Sequence, residues 1–361
     1  MRLFQNSGVY RSYRPRLDRL TRDCGTFDAA ISAFLDDRFG AAHLLKPILE
    51  RDPSAFFANG DDEYSQRLWA KENGLPVSAT LSDILLAQIE EHRTEVFYNI
   101  DPMRYGDSFL ARLPGSVRRT IAWRAAPSEG GQFLKHDLVV NNFPAILAAY
   151  RDQGANTAAF FPAHDPVMDG YAAREDRDID LLFVGSYSRY HLRRAAMLEA
   201  IASLRGTANV VMFLDRSRFT RLAETPLGWV GPLREHRRPP NIRRVAQGPV
   251  FGRDLLSAIG RAKIVVNGAI DMVGTERGNM RVWEAMGCGA ALLSDTGSYP
   301  EHMRADVHFE TYANSEQVVE KALGLLADDS RRQKMAGEGY AMISTAYSKT
   351  AQWEAFALLA S

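Results

Sequence analysis

The sequence predicts an α/β protein with two similar domains, and three observations support that prediction. Short apolar runs followed by a polar loop and an amphipathic stretch recur throughout the chain, which is typical of β-loop-α units in a parallel sheet. The run PAHDPVMDGYAAREDRDID (162–180) has two prolines, several charges and no apolar period, so it indicates a linker. The alternation then starts again, and 361 residues suffice for two domains of roughly 150 residues each.

The first half contains seven apolar runs that we assign to strands, with helices between them. Two helices have clear ends: Glu63–Asn73 is closed by Gly74, and Leu81–His92 is opened by Thr80 or Ser82. The predicted strands are Arg2–Phe4, Ala30–Leu35, Ala55–Ala58, Val96–Asn99, Thr120–Trp123, Leu138–Val140 and Ala158–Phe161.

The second half restarts the same alternation. We place an N-terminal domain over 1–162, a C-terminal domain over 163–340, and a terminal helix over 341–361 that packs back on the first domain. The two domains are expected to face a cleft. Parallel sheets bind ligands beyond the carboxyl ends of their strands, so the loops after the strands are the candidate sites. The predicted elements are strands Leu181–Val184, Val210–Leu214, Ile264–Asn267 and Ala290–Ser294, and helices Leu192–Leu204, Arg253–Ile259, Asn279–Met286, Ser315–Leu326 and Ser330–Tyr347.

Composition and charge exclude several classes of protein. Lys and Arg number 44 and so do Asp and Glu, so no overall field draws the chain to nucleic acid. The longest apolar runs, such as Ile264–Val266, are far shorter than the roughly 20 residues that cross a bilayer. Residues 1–10 lack the apolar core of a signal peptide, and Cys24 and Cys288 are far apart in the sequence. We therefore expect a cytoplasmic protein without a transmembrane segment, a disulfide or a thiolate metal site.

One segment, 216–253, departs from this balance because it has nine arginines and two acidic residues, Glu224 and Glu235. It has neither interleaved aromatic residues nor a helical period, which is typical of a solvated loop. A weak contact with an anionic acceptor or a membrane surface is the alternative, and the sequence leaves both open.

The run GAIDMVGTERGNMRVWEAMGCGAALLSD (268–295) contains the most informative pattern. It follows a predicted strand and includes the start of a helix, for which Gly278 and Asn279 are good caps. The amides of Asn279, Met280 and Arg281 are expected to point out of that helix with the positive end of its dipole, an arrangement that binds phosphate. The charge of Arg281 opposes the dipole, which indicates an anionic partner.

Two carboxylates flank this turn. Glu276 lies at the tip of the loop before the cap, and Glu284 lies eight residues later inside the helix. Because phosphates repel carboxylates, we expect both to accept hydrogen bonds from neutral hydroxyls, such as those of a sugar and a ribose. A nucleotide sugar offers the phosphates and both kinds of hydroxyl. Two unrelated carboxylates at the helix end are the alternative, because a pair at this spacing is a weak signal by itself.

The neighbouring residues favour the nucleotide sugar. The run ERGNMRVWEAMGCGAALLSD (276–295) resembles the E-x7-E-A-x-x-x-G signature of family-4-like glycosyltransferases, the group 1 glycosyl transferases of the GT-B fold. Glu276, Glu284, Ala285 and Gly289 occupy the four signature positions. Within the family, the run NMRVWE is similar to the branch that includes spore-maturation-protein-like transferases.

The resemblance implies roles for the two glutamates. Glu276 would contact the donor sugar, Glu284 would contact the ribose hydroxyls, and the turn between them would hold the phosphates. The loop departs from the usual E-G-F-G pattern because Arg277, Gly278 and Asn279 follow the first glutamate.

The resemblance extends over about residues 160–353 and implies further donor contacts. The run LFVGSYSRYHLRR (182–194) is similar to the first strand and loop of the nucleotide domain, where basic side chains clamp the pyrophosphate. Gly185, Arg189 and His191 are the candidates there, and Arg193 and Arg194 are expected on the following helix.

A nucleobase site is implied further along the chain. Phe251 lies in the neighbourhood that holds the base in the family and is a candidate stacking face, a core position being the alternative. The run FFPAHDP (160–166) is similar to the family's crossover between domains, where we interpret His164 as structural.

Loops after the first-half strands are expected to hold the acceptor. Two acidic clusters, Asp61–Glu63 and Asp176–Asp180, have the composition of a divalent-metal site. We interpret the first as the acid-rich start of a helix and the second as a linker charge run, so no metal ligand is expected. The candidate acceptor residues are Gly8, Asn59, Asp61, Asp101, Arg124 and Asn141.

The resemblance implies a metal-independent, retaining hexosyltransferase that uses a nucleotide diphosphate sugar, of UDP or GDP type, and no further cofactor. Glu276, Arg189 and Arg281 are the candidate catalytic residues, and the two arginines and the amides of 279–280 would stabilise charge on the leaving phosphate. A saccharide, a lipid-linked saccharide and a protein remain open as the acceptor. A nucleotide-sugar epimerase of the same fold and a nucleotide-binding module without turnover are the alternative functions.

Overall fold

The structure is a computed structural model that describes residues 1–128, 130–229, 231–268 and 274–361. The chain forms two compact units: unit 1 comprises Met1–Pro162 with Lys349–Ser361, and unit 2 comprises Ala163–Ser348. The segment 341–361, expected to be one terminal helix, is divided between them, because one helix ends at Ala346 and the next begins at Lys349.

Unit 1 alternates strands and helices along the chain. In chain order its elements are β1 (Leu3–Ser7), α1 (Arg14–Thr21), α2 (Phe27–Asp37), α3 (Lys46–Leu49), β2 (Ala55–Asn59), α4 (Glu63–Glu72), α5 (Leu81–Glu91), β3 (Val96–Asn99), α6 (Asp107–Leu110), β4 (Arg119–Trp123), β5 (Leu138–Asn141), α7 (Pro144–Asp152) and β6 (Thr157–Ala159).

The strands of unit 1 form one parallel sheet in the order β2-β1-β3-β4-β5-β6. β2 lies on one side of β1 and β3 to β6 lie on the other, so the order of the strands reverses between β1 and β3. The crevice at their carboxyl ends is therefore the switch point at which open α/β sheets bind ligands. Phe4 on β1 and Phe97 on β3 pack in a buried cluster with Leu85 of α5 and Phe109 of α6, which fixes these two strands beneath the crevice.

The structure contradicts one predicted strand, Ala30–Leu35, which lies inside α2. Thr26 caps this helix by accepting a hydrogen bond from the amide of Ala29 at 3.2 Å. The apolar positions recur at helical spacing over eleven residues, and that longer period outweighs the short apolar run. The buried positions of α2 are Phe27, Ala30, Ile31, Phe34, Leu35 and Asp37.

Unit 2 repeats the alternation, and short helices occupy part of the segment interpreted as a linker. In chain order its elements are α8 (Asp169–Ala172), β7 (Ile179–Ser186), α9 (Leu192–Ser203), β8 (Val210–Asp215), α10 (Arg218–Ala223), α11 (Pro240–Val245), β9 (Ala246–Gln247), α12 (Gly252–Gly260), β10 (Ala262–Val266), α13 (Met280–Gly287), β11 (Ala291–Asp295), β12 (Glu310–Tyr312), α14 (Ser315–Ala327) and α15 (Asp329–Ala346), after which α16 (Lys349–Ala360) completes unit 1. Short 3-10 turns lie at Ala41–His43, Pro166–Met168, Leu204–Gly206, Pro226–Trp229 and Pro232–His236.

The second sheet is also parallel, in the order β12-β11-β10-β7-β8-β9. Its switch point lies between β7 and β10. Leu181 and Ile264 on these strands pack with Leu198 and Ile201 of α9 in a buried cluster. The protein therefore has the α/β architecture that the sequence predicts, with two separate six-stranded sheets. None of the helices that the structure describes is long and apolar enough to span a bilayer.

Candidate active site

Two glycines at the switch point of unit 2 leave space that a larger side chain would fill. A Cβ atom on Gly185, at the end of β7, would lie 2.5 Å from Nη2 of Arg194, and one on Gly268, after β10, would lie 3.2 Å from the Tyr312 hydroxyl. Glycine therefore leaves room for the Arg194 side chain above the strand. The guanidinium carbon of Arg194 lies 5.1 Å from the centre of the Phe183 ring, which orients it by a cation–π contact.

Arg194 is a half-buried cation among other charged groups. Burial lowers the pKa of its guanidinium, Tyr312 and Asp295 oppose that shift, and the neighbouring charge of Arg281 adds to it. Its Nε is buried and makes no hydrogen bond within the described part of the chain. Arg194 and Arg281 are thus two cations at this edge of the sheet, and an anion bound there would be attracted to both.

Sequence reasoning placed Arg194 on a helix and did not choose it as a phosphate ligand. The signal was present in the spacing, because Leu198 and Ile201, four and seven residues later, are buried core positions of α9. An arginine on the apolar face of a helix, in its first turn, extends toward the helix amino end and thus toward the switch point.

The amino end of α13 is open to a ligand. Asn279 is the N-cap, as the sequence predicts, but its side chain makes no cap hydrogen bond. Instead its Nδ2 donates to Oδ1 of Asn267 at 2.9 Å, and Nδ2 of Asn267 donates to Oγ of Ser294 at 3.0 Å. The amides of Met280 and Arg281 precede the first intrahelical hydrogen bonds, so they remain available to an acceptor outside the helix.

Arg281 has a partner within the chain. Its Nη1 donates to Oε2 of Glu284 one turn later, and both side chains are largely buried. Burial raises the pKa of the Glu284 carboxyl above its usual range, although the charge of Arg281 opposes the shift. The sequence argument that Arg281 requires an external anion is therefore wrong in that form, since Glu284 already balances it. A bound phosphate would share this arginine with Glu284.

The loop that carries Glu276 is held by backbone contacts. Glu276 forms an isolated parallel bridge with Ser298, in which the amide of Arg277 donates to Ser298 and the amide of Ser298 donates to Thr275, both at 2.8 Å. The Arg277 guanidinium folds back onto Asp295 at 2.5 Å. Glu276 is half-buried, and the hydrogen bonds on either side of it fix the backbone from which its side chain extends. Residues 269–273, within the run that carries the motif, lie outside the described residues.

The remaining donor candidates lie in different settings. Arg189 is exposed, and its Nη2 donates to the carbonyl of Arg237 at 3.0 Å, on the arginine-rich segment. His191 is half-buried immediately before α9, and Phe251 is half-buried immediately before α12. Gly278 is buried next to the cap. The structure brings Gly185, Asn279, Met280, Arg281 and Glu284 to the carboxyl edge of the sheet, and Arg189 to its rim.

At the switch point of unit 1, an asparagine pair joins the strand ends. Asn6 and Asn99 are fully buried, and Nδ2 of Asn6 donates to Oδ1 of Asn99 at 3.0 Å. Oδ1 of Asn6 accepts the amide of Gly60 at 3.0 Å, and the Tyr105 hydroxyl donates to the carbonyl of Gly60. Sequence reasoning did not select Asn6, whose place at the end of β1 is its only local signal.

Two candidate acceptor carboxylates lie above this pair. A Cβ atom on Gly8 would lie 2.8 Å from Oδ2 of Asp101, so glycine permits their close approach. Oδ1 of Asp61 accepts the amide of Val9 at 3.2 Å, and its Oδ2 accepts Nη2 of Arg14 at 2.7 Å. Burial raises the pKa of both carboxyls; Arg14 opposes the shift for Asp61, whereas the charge of Asp101 adds to it. The two acids are thus close enough to interact.

Two of the other acceptor candidates, Asn141 and Arg124, form hydrogen bonds to neighbouring groups of the chain. Asn141 is fully buried, donating to the carbonyl of Arg124 and accepting the amide of Phe143, both at 2.7 Å. The Arg124 guanidinium donates to Oγ of Ser128 at 2.8 Å. Oδ1 of Asn59 is buried and makes no hydrogen bond within the described residues.

The acidic clusters are held by basic side chains. Asp62 caps α4 by accepting the amide of Ser65 at 3.2 Å, which agrees with the interpretation of this cluster as a helix start. In the second cluster, Asp178 precedes β7 and pairs with Arg261, whereas Asp180 lies within β7 and pairs with Lys263. Within the described ranges, no group of three or more His, Cys, Asp or Glu side chains has an arrangement that could hold a metal ion.

Comparison with known proteins assigns the class of fold. The two parallel sheets have the GT-B architecture of a set of solved glycosyltransferases. HepE of Anabaena, solved with UDP and glucose, is 14% identical with a TM-score of 0.58 over 99% of both chains. A glycosyltransferase of Rickettsia africae is 11% identical with a TM-score of 0.54, over 99% of this chain and 97% of that one. At such identities the similarity shows the fold alone.

Further findings bear on the family. A variant of S. aureus TarM, solved with fondaparinux, alpha-GlcNAc-glycerol and UDP, is 11% identical with a TM-score of 0.54, over 78% of this chain and 59% of that one. The glycosyl transferase-like family model matches residues 193–357, which include the helix with the open amino end and most of unit 2. No curated protein sequence matches the chain.

Proposed function

We propose that this protein is a glycosyltransferase that binds a nucleotide diphosphate sugar at the carboxyl edge of unit 2. The observation that carries the proposal is the open amino end of α13, which has Arg281 in its first turn, together with Arg194 over Gly185 at the carboxyl end of β7. Free amides at a helix end and two cations at the same edge of the sheet form a site for a pyrophosphate. The HepE structures hold UDP or UDP-glucose, which favours a uridine nucleotide over the GDP type.

The parts of the donor can be assigned to the residues around this site. The amides of Met280 and Arg281 and the guanidinium of Arg194 would bind the pyrophosphate. Glu284 would accept the ribose hydroxyls, and Glu276 would accept a hydroxyl of the sugar. We also assign Phe251 to the base and His191 to the phosphates. On the resemblance of the run NMRVWE, we place the chain in the spore-maturation-protein-like branch.

The transfer would be retaining, metal-independent and of the hexosyl class. The bond between the sugar's anomeric carbon and the phosphate oxygen breaks, the acceptor oxygen bonds to that carbon, and the departing phosphate takes the acceptor proton. Charge on the leaving phosphate is then the main quantity that the site must stabilise. The amides at the start of α13 and the guanidinium groups of Arg194 and Arg281 are fixed before reaction, so they can supply that stabilisation without reorganisation. Arg189, on the rim, would contribute at longer range.

Unit 1 would hold the acceptor at its own switch point. Asp61 and Asp101 are carboxyls whose pKa values are raised by burial, beside the close approach at Gly8, so they can hold an acceptor hydroxyl. The free cysteines, Cys24 and Cys288, are compatible with the cytoplasmic location that we propose.

A binding experiment tests the donor site. UDP, GDP and UDP-glucose should each be added to the purified chain and the melting temperature followed. A ligand at about 100 times its dissociation constant adds roughly 2.7 kcal/mol to the free energy of unfolding, so stabilisation by UDP and UDP-glucose is expected. The variant Arg194→Gln should lose most of it. The matched control is Arg261→Gln, which removes an exposed guanidinium paired with Asp178.

Equal stabilisation of wild type and Arg194→Gln by UDP would contradict the donor site.

Product analysis then separates the catalytic alternatives. Incubation with UDP-glucose alone should leave the sugar's configuration unchanged, whereas its conversion would indicate an epimerase. Nucleotide binding without transfer to any saccharide or lipid-linked acceptor would indicate a binding module.

A further inference from the structure

A cluster of exposed apolar side chains lies on the rim of unit 2. Tyr190 in the loop before α9 and Leu192, the first residue of α9, are 79% and 75% exposed, and Phe219 and Leu222 of α10 are 58% and 47% exposed. Phe219 and Leu222 are three residues apart, so they share one face of their helix. Several large apolar groups exposed on one surface mark an interaction site.

Hydrogen bonds join the two parts of this cluster. The Arg189 guanidinium donates to the carbonyl of Arg237, and the Arg237 guanidinium donates to the carbonyls of Ala223 and Thr225 at 2.5 and 2.9 Å. The Phe219 ring stacks on His236 with centroids 5.2 Å apart. The loop before α9, the helix α10 and the turn around 236 therefore form one surface, which we call the rim patch.

Positive charge surrounds the rim patch. The interpretation of 216–253 as a solvated loop without aromatic residues among its arginines is wrong in part, because α10 and α11 lie within the segment and Phe219 stands between Arg218 and Arg221. Arg238 is also buried, and it pairs with Glu224 at 2.5 Å. Six other arginines in the patch or next to it are exposed, against two exposed acids, Asp215 and Glu235. The exposed arginines are Arg189, Arg193, Arg216, Arg218, Arg221 and Arg234.

We propose that the rim patch docks on an anionic lipid bilayer. Arginine guanidiniums beside exposed aromatic and aliphatic side chains match the two layers of a membrane interface, in which phosphate groups lie above the acyl boundary. Tyrosine and phenylalanine bind at that depth through their rings. The proposal goes beyond the proposed function and does not depend on it, since it needs neither donor binding nor turnover.

The distribution of charged residues within the rim patch favours a bilayer over a protein partner. Protein interfaces are depleted of charged residues at their centre, whereas in α10 Arg218 precedes Phe219 and Arg221 precedes Leu222, so each exposed apolar side chain of the helix has an arginine next to it in the sequence. An anionic bilayer satisfies both kinds of residue at once. The patch also follows the carboxyl ends of β7 and β8, the edge that holds the candidate donor site.

Vesicle binding tests the proposal. The full chain should be floated with vesicles of phosphatidylcholine alone and of phosphatidylcholine mixed with phosphatidylglycerol, at low and high salt. Binding is expected only to the anionic vesicles, and it should weaken as salt screens the arginines. The double variant Arg218→Gln with Arg221→Gln should lower the partition coefficient about 30-fold, and Phe219→Ser with Leu222→Ser should lower it about tenfold or more.

Matched controls lie in unit 1. Arg151→Gln removes an exposed guanidinium of α7, and Leu358→Ser removes a side chain of α16 that is 78% exposed; both should leave vesicle binding unchanged. The arginine variant keeps the apolar side chains and the buried Ala223, so it remains informative even if the serine variant unfolds.

Three results would overturn the proposal. The first is no binding of wild type to anionic vesicles at low salt. The second is equal binding of wild type and both rim-patch variants. The third is equal competition by soluble glycerol phosphate at matched phosphate concentration, which would show a small-anion site in place of a bilayer contact.

Discussion

Replacing Glu284 by glutamine separates two roles that its carboxylate could have. The side chain is buried in α13 and accepts Nη1 of Arg281. If it also binds the ribose, Glu284→Gln keeps the shape and one acceptor but replaces charged hydrogen bonds by neutral ones. Hydrogen bonds to charged groups contribute about 1.5–3 kcal/mol and neutral ones about 0.5–1.5 kcal/mol. UDP should therefore bind about 5- to 30-fold more weakly, the equivalent of about 1–2 kcal/mol.

Isothermal titration with UDP at neutral pH measures this change, and Glu310→Gln is its control. Glu310 is a buried carboxylate at the amino end of β12, paired with Lys321 at 2.6 Å and with Arg331. Its substitution should alter stability but leave UDP affinity within about twofold. Unchanged or tighter UDP binding by Glu284→Gln would refute the ribose assignment, because it would show that the carboxylate only balances Arg281.

In the absence of nucleotide, the stability of Glu284→Gln should differ from that of wild type in its dependence on pH. Burial raises the pKa of Glu284 in the folded chain above the usual value of 4.5. As pH rises past that value the unfolded chain releases its proton first, so the folded state binds more protons and its free energy of unfolding falls. The contribution of Glu284 is thus fully present below pH 4.5 and lost as pH passes the raised pKa. Denaturant unfolding should show wild type losing stability relative to Glu284→Gln over this range; a flat or rising difference would contradict the burial argument.

Three further changes test the site. Glu276→Gln should leave UDP affinity nearly unchanged but lower turnover about 10²- to 10³-fold, which is the effect of removing one preorganised electrostatic group. Titration with UDP and a steady-state assay measure the two quantities. Turnover within about threefold of wild type would show that Glu276 is only a carboxylate at the helix end. Chelation should leave the transfer rate intact, and a loss restored by magnesium or manganese would make Asp61 and Asp62 metal ligands. Gly185→Ala places a methyl group 2.5 Å from the Arg194 guanidinium and should weaken UDP binding about tenfold, whereas Gly206→Ala, where a Cβ meets nothing within 4 Å, should not.

The Glu276–Glu284 motif shows how far local pattern alone reaches. Its loop and helix follow a buried strand, and the structure begins the helix at Met280 with Asn279 as its cap. Helix caps and apolar periods are set by residues within one or two turns, so they can be recognised without the rest of the fold. The same locality explains why α5 begins at Leu81, directly after the N-cap Thr80, whose capping box with Asp83 is complete within four residues.

Long-range arginine contacts, in contrast, could not be assigned from local pattern. Arg189 was expected at the phosphates, and its guanidinium donates instead to the carbonyl of Arg237. The pair of Arg281 with Glu284, three residues later on the same helix, is a local contact that spacing could have indicated. An arginine side chain is long and flexible, and its partner depends on which rotamer the packed surroundings allow. The structure placed Arg194 over Gly185 because α9 packs across β7, a contact between elements that spacing does not encode.

By itself, therefore, the sequence determined the α/β class, the order of most strands and helices, and the helix start between the two glutamates, because these follow from periodicity and capping over short stretches. Tertiary structure alone decided that β1 meets β3 and β7 meets β10, and that part of the arginine-rich segment is buried while the rest is exposed. The physical reason is that strand order, burial and ion pairing depend on residues distant in the sequence, whose contacts form only when the sheets assemble.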